Sequence, residues 1–253
     1  MKLATKAFYL ERYLDLLDQY NLLPSNTVRR FSERRSLRAF AKTIKPGKNP
    51  QIAGYRFSPI KVRTLTGRRF DWLLAVDGKM RCTKRLTVFV GHRFVDNVTR
   101  NFRHNLQRAV QPYGVRLVYS DSDMPNAPIF QTILDRIGKS KFCVFDDRET
   151  EVRPNVFIEL GAAIALKRPY FYFSFVGKRR VKIKGMEQKV EIPSDLDGML
   201  RMPYETYEDL FTEFAVRLPG FLVDRKLAVR KGTPSVLRMR PAPLRARRRM
   251  LST

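Results

Sequence analysis

LeuThrValPheValGly (86–91), ValArgLeuValTyr (115–119), LysPheCysValPhe (141–145), TyrPheTyrPheSerPhe (170–175) and MetLeuArgMet (199–202) are five short apolar runs, and what lies between them decides the fold. After the first, Val95, Val98, Phe102, Leu106, Ala109 and Val110 recur at helical spacing, and after the second Ile129, Phe130, Ile133, Leu134 and Ile137 do the same. A third helix is expected over about 155–167, closed by LysArgPro at 167–169. Thr206 and Asp209 have capping-box spacing ahead of Leu210, Phe211, Phe214 and Leu218, and Pro219 is expected to stop that last helix. Short continuous apolar runs of this kind are buried strands, and strands alternating with helices imply right-handed crossovers. The expectation is an α/β fold, a five-stranded mostly parallel sheet with helices on both faces in the flavodoxin-like manner. Such sheets bind ligands at the carboxyl ends of their strands, so the site is expected from 91–96, 120–128 and 146–159.

Outward from this core the chain changes character. The 253 residues carry 50 basic and 24 acidic side chains, a formal charge of +26, which is unevenly spread. Residues 1–84 hold 19 basic and 6 acidic groups, 85–224 hold 21 and 18, and 225–253 hold 10 and none. Three divisions follow: a basic N-terminal module (1–84), the α/β domain (85–224) and a basic tail (225–253). In the first, Ala7, Leu10, Tyr13, Leu14, Leu17 and Tyr20 mark an amphipathic helix ending near Leu22, and a second short helix covers 32–43. Turn chemistry between Ile44 and Met80 (LysProGlyLysAsnPro, GlyTyrArgPheSerPro, LeuThrGlyArgArgPhe) predicts an irregular segment. The stretch from Val181 to Ile192 alternates like a hairpin or a lid. The tail mixes Pro with like charges that repel, so 225–253, and its end above all, is expected to be disordered. It suits non-specific binding of nucleic acid, or serves only to solubilise; no zinc-finger spacing and no RRM-type aromatic signature accompanies it.

Composition removes several other classes. With 43% hydrophobic and 29% charged residues the chain has enough apolar material for a core. No apolar run approaches the ~18 residues of a membrane span, and Glu11 and Asp15 interrupt the N-terminus where a signal peptide stays uncharged, so a cytoplasmic protein without a membrane partner is expected. Two cysteines, Cys82 and Cys143, and two histidines are too few for a disulfide framework or a zinc site, and no metal is expected.

Several residues are suited to chemistry. Asn155 and Glu159 share a helix face, with Ala162 and Ala163 a turn further on. Glu159 lies between Ile158 and Leu160, where an unpaired charge is costly to bury, so either a salt bridge to a neighbouring arginine or a ligand must compensate it. Gly161, costing about 1 kcal/mol in a helix relative to alanine, suggests close packing or close approach of a ligand there. GlyHisArgPheValAsp (91–96) places His92, Arg93 and Asp96 at a helix start suited to phosphate, although an Asp96 or Asn97 cap beside a surface histidine and arginine explains it equally. Asp121, Ser122 and Asp123 serve as turn residues or ligand contacts, and Asp146 and Asp147 either bind ribose hydroxyls or end the third strand. Cys143 and Trp72 read as core and anchor.

Over about 85–218 these residues together resemble the Toll/interleukin-1 receptor (TIR)-like fold, particularly bacterial TIR-like nucleotide-binding proteins, which would make 85–224 a TIR-like nucleotide-binding domain. The resemblance rests on ValPheValGlyHisArgPheValAsp (88–96), IleLeuAspArgIleGlyLysSerLysPheCysValPheAsp (133–146) and AsnValPheIleGluLeuGlyAlaAlaIleAlaLeuLysArgPro (155–169). GluLeuGly also resembles the catalytic-glutamate segment of nucleoside 2-deoxyribosyltransferases. Both resemblances place the reactive acid at Glu159, although AsnValPheIleGlu departs from the tryptophan- and cysteine-containing approach common in TIR domains. Both imply action on an N-glycosidic bond, and the TIR likeness implies NAD or a related nucleotide as substrate rather than cofactor, cleaved to release nicotinamide. Gly91, His92, Arg93, Phe94, Asp121, Asp146 and Asn155 are the implied substrate contacts. The TIR likeness further implies bacterial defence or signalling controlled by homo-oligomer formation. Two alternatives stand beside it: a deoxyribosyltransferase or nucleotide N-glycosidase using the same glutamate, and a non-catalytic nucleotide sensor or scaffold whose basic arms engage nucleic acid.

Overall fold

The computed structural model describes residues 1–31, 33–63, 68–92, 97–120, 129–148, 155–176, 180–183, 186–189 and 201–231. Its centre is a sheet of β5 (Leu86–Gly91), β6 (Val115–Tyr119), β7 (Phe142–Asp146), β8 (Tyr170–Phe175) and β11 (Arg201–Tyr204), in the order β11-β8-β7-β5-β6. Every neighbouring pair runs parallel. The strands are joined by α4 (Asn97–Val110), which leads through a 3-10 turn at Gln111–Tyr113 into β6, and by α5 (Ile129–Lys139) and α6 (Asn155–Ala165). This is the flavodoxin-like order expected, with its switch point between β5 and β7.

Side-chain alternation explains why helices cover both faces. Val88, Val90, Phe142, Val144, Phe171 and Phe173 point into one hydrophobic cluster, while Phe89, Cys143, Phe145 and Tyr172 point into another with Ile137, Val156, Leu160 and Ala163 of α5 and α6. The first cluster belongs to α4 and to α7 (Tyr207–Asp224). Each fully buried phenylalanine there contributes about 1.5–3 kcal/mol.

α7 is apolar nearly all round, and such a helix must be enclosed on several sides. Its outer side packs on α1 (Leu3–Gln19) and on β3 (Arg69–Asp77), which pairs antiparallel with β2 (Tyr55–Arg63). Tyr20 donates to Glu213 at 2.7 Å and accepts from Arg217, and Arg12 pairs with Asp209, so polar contacts fasten the same seam. Residues from 1–84 and from the central sheet therefore share one hydrophobic cluster. α2 (Ser25–Phe31) and α3 (Arg34–Thr43) complete this layer beside α1, and the two-residue β1 (Gln51–Ile52) pairs with the start of β2.

Three sequence expectations need correction. The stretch 44–80, read as irregular, contains the nine-residue strands β2 and β3. Pro59 is tolerated because β1 pairs only with Tyr55 and Arg56, leaving Pro59 on an open edge facing away from Leu73. Pro219 does not end α7, which continues to Asp224, because Leu218 and Leu222 on either side of it are fully buried. Finally, the tail is not wholly without structure: β12 (Ala228–Arg230) pairs antiparallel with β4 (Met80–Cys82), while the end of the tail lies outside the described residues.

Other expectations hold. Thr206 caps α7 by accepting from the Asp209 N–H at 3.2 Å, Trp72 and Cys143 are core, and β9 (Arg180–Ile183) and β10 (Met186–Lys189) form a hairpin. Among the described residues no helix is long and apolar enough to cross a membrane.

Candidate active site

β5, β6 and β7 end side by side at Gly91, Tyr119 and Asp146, and α6 returns over them so that Glu159 meets β5. The Glu159 carboxylate lies directly over the Gly91 backbone: a Cβ on residue 91 would stand 2.3 Å from Oε2 and 2.7 Å from the Phe145 ring. Only glycine leaves that space, so the residue ending β5 is dictated by the carboxylate above it. Glu159 is 5% exposed, and its Oε2 has no hydrogen-bond partner. No arginine compensates it among the described residues. Burial pushes its carboxyl up to about 7, and the nearby Ser120 hydroxyl acts in the opposite sense. Ser120 Oγ, itself buried at the end of β6, also lacks a formed hydrogen bond.

The two aspartates ending β7 are bonded quite differently. Asp146 accepts from Tyr204 and, at 2.9 Å, from Tyr207, with the Arg148 N–H at 3.3 Å. Burial raises Asp146 to about 7, the Tyr204 hydroxyl opposes that rise, and neighbouring Asp147 adds to it. Asp147 accepts from the Tyr172 hydroxyl, from Ser174 at 3.3 Å and from the Phe175 N–H at 2.7 Å. Arg148 lies over the Phe175 and Tyr207 rings, each centroid 4.6 Å away. Neither aspartate is left open in the way Glu159 is.

His92 is buried between the Phe102 and Tyr119 rings rather than on the surface. Its Nε2 accepts from Arg103 Nε at 2.7 Å, which assigns the ring proton to Nδ1. Arg103 also stacks over Tyr119 at 4.2 Å, and Arg136 donates to the Tyr119 and Ser120 carbonyls at 2.9 and 3.2 Å, fixing the end of β6. Asn155 is exposed at the first turn of α6, one turn from the buried Glu159. Arg93, Phe94 and Asp121 lie outside the described residues. Gly161 is exposed and is not closely packed: a Cβ there would meet no described atom within 4 Å.

The structure thus brings together Gly91, Glu159 and the end of β7, and adds Ser120, which the sequence places at the start of an expected site loop without a role of its own. A serine following a strand has many structural uses, so only the meeting of β6 with α6 distinguishes it. Among the described residues no three His, Cys, Asp or Glu side chains converge as a metal site.

No protein-family model and no curated protein sequence matches the chain. Among solved structures it is similar to a "2-desoxiribosyltransferase from Leishmania mexicana", with 18% sequence identity and a TM-score of 0.37 over 51% of this chain and 97% of that one. A function for the chain has to be read from Glu159 and its surroundings.

Proposed function

We propose that this protein cleaves the N-glycosidic bond of NAD or a related nucleotide, with Glu159 facing the ribose carbon from which the base departs. The observation behind this reading is a buried carboxylate with an unpartnered oxygen at the β5/β7 switch point, where a parallel sheet receives its ligand. Breaking the C1′–N bond sends the bonding pair to the pyridinium ring, which leaves as neutral nicotinamide. The positive charge that develops on the ribose is met by the ionised Glu159, which stabilises it or bonds to it transiently. Water then completes the ADP-ribose product and a proton is released.

Nicotinamide is favoured as leaving group by the bonding of the neighbouring acids. Asp146 and Asp147 are both engaged by tyrosine hydroxyls and backbone N–H groups, so Glu159 is the open carboxyl of the three. A pyridinium base departs without protonation, whereas an unactivated purine or pyrimidine calls for a general acid.

The test is to incubate the full chain with NAD, NADP and a nucleoside panel and separate the products. Nicotinamide release is expected, falling about 10³-fold or more in Glu159→Gln with an unchanged circular dichroism spectrum. Free purine or pyrimidine with transfer of the sugar would replace hydrolysis by the transferase reading. Nucleotide binding without turnover would make the protein a sensor.

A further inference from the structure

The opposite end of the central sheet carries a second concavity. At the amino ends of β5 and β6, about 17 Å along the strands from Gly91, a cleft of about 730 Å³ is lined by Arg81, Lys84, Arg85, Gln107, Gln111 and Lys231 among others. All four cations are exposed, and no lining residue carries a carboxylate. The sequence scatters these groups over 150 positions; the β12–β4 pairing gathers them, with Arg230 opposite Met80 and Lys231 N–H bonded to the Lys79 carbonyl. Thr83 donates to the Leu227 carbonyl at 3.1 Å, which holds the chain ahead of β12 against the end of β4. The exposed Lys141, whose N–H bonds the Thr87 carbonyl at 2.8 Å, extends the positive edge along the sheet towards β7.

We propose that this cleft binds the sugar–phosphate backbone of a nucleic acid, at a site separate from Glu159. Cations of one sign in a concave, low-dielectric wall focus the potential and attract a polyanion. The Gln107 and Gln111 amides add neutral donors of the kind that contact phosphate oxygens beside Arg and Lys. No large apolar side chain of the lining is exposed to insert into a bilayer or to hold the side chains of an acidic peptide. The six arginines of 232–253, unaccompanied by any acid, follow Lys231 in sequence, so the chain that lines the cleft continues as basic sequence.

Fluorescence anisotropy of the full chain with a labelled 20-nucleotide single strand and a 20-base-pair duplex, over a salt series, tests this. Arg81→Glu/Lys84→Glu/Arg85→Glu is expected to weaken binding at least tenfold and to flatten the log–log salt slope by about 3, near 0.9 for each phosphate no longer neutralised. A matched variant on exposed α3, Arg34→Glu/Arg35→Glu/Arg38→Glu, changes net charge equally and is expected to weaken binding less than threefold. Replacing the six tail arginines by alanine is expected to leave binding that still depends on the cleft. Equal weakening in the two triple variants, or weakening with the tail variant alone, overturns the proposal. So does absence of binding by the unaltered chain, or stronger binding to phosphatidylserine vesicles or polyglutamate than to nucleic acid. If the glutamate variants unfold by circular dichroism, Arg81→Gln/Lys84→Gln/Arg85→Gln gives the same readout. Glu159→Gln is expected to bind as the unaltered chain does, so failure of the catalytic reading and failure of this one remain distinguishable.

Discussion

Glu159 and Asp146 are equally deep in the molecule, and burial raises both carboxyls to about 7, but they are built into opposite surroundings. Asp146 sits in a cage of hydroxyls from β11 and α7, whereas Glu159 Oε2 rests over a bare glycine with no hydrogen bond formed and only the Ser120 hydroxyl nearby. The difference teaches that burial does not mark a reactive acid. A caged carboxylate holds elements together, and an uncaged one is retained at a cost that function has to explain.

Breaking the cage should produce the largest effect on stability. Tyr204→Phe/Tyr207→Phe removes two hydroxyl donors from a buried carboxyl, and a loss of about 4 kcal/mol at pH 8 is expected from urea denaturation. An unchanged midpoint would mean that Asp146 is as free as Glu159 and that the contrast is unreal.

Acid–base linkage sharpens the contrast next. A carboxyl whose folded value is raised stabilises fully below its unfolded value and loses that contribution as pH rises towards the folded value. For Glu159 the window runs from 4.5 to about 7, corresponding to about 3 kcal/mol. Stability of the unaltered chain should therefore fall between pH 4.5 and 7, and Glu159→Gln should flatten that decline by about this amount while the Asp146 part persists. Turnover has the opposite slope. On the proposed reading the ionised group acts on the ribose, so kcat/KM should rise tenfold per pH unit below about 7 and level off above it. A bell centred at acid pH would remove Glu159 from the carboxylate role.

Gly91→Ala pushes a methyl group into the carboxylate, so Glu159 or β5 must shift. Activity should fall about 10²-fold, about 2.7 kcal/mol in the barrier, because catalytic groups misplaced by an ångström lose that much. Full activity in this variant would show that the acid need not rest where it does. Smallest is Thr206→Ala, which removes the cap of the helix bearing Tyr207. A loss of about 1 kcal/mol in urea with unaltered turnover is expected, and a change in turnover would tie the cage to the reaction.

Much of this arrangement was legible residue by residue. The apolar runs at β5, β7 and β8 alternate between two cores, and strands buried on both faces of a parallel sheet read as such continuous runs. Thr206 announced its own helix, and Glu159 stood out as an acid among Ile158 and Leu160. Other features were hidden for physical reasons. The β2–β3 hairpin was obscured by Pro59 and by glycines that mark turns in isolation, because a strand edge tolerates proline only where its neighbour happens to end. Pro219 resembled a stop because local chemistry favours one there, and the packing of Leu218 and Leu222 overrode it. Gly161 suggests close packing in the sequence, yet it is open on its outer side, and the closely packed glycine is Gly91, on another element altogether.

Local order in the α/β part was thus written in periodicity: period two and period 3.6 act over a few residues, so the alternation of strands and helices from β5 onward, and the parallel sheet it implies, follow from the chain alone. What only the tertiary structure decided is which polar groups end up satisfied. Whether Asp146, Asp147, His92 or Glu159 finds a donor depends on side chains up to 61 positions away, as with Tyr207 and Asp146. The same holds for the gathering of Lys231 with Arg81, since hydrogen-bond pairing between distant strands leaves no periodic trace in either segment.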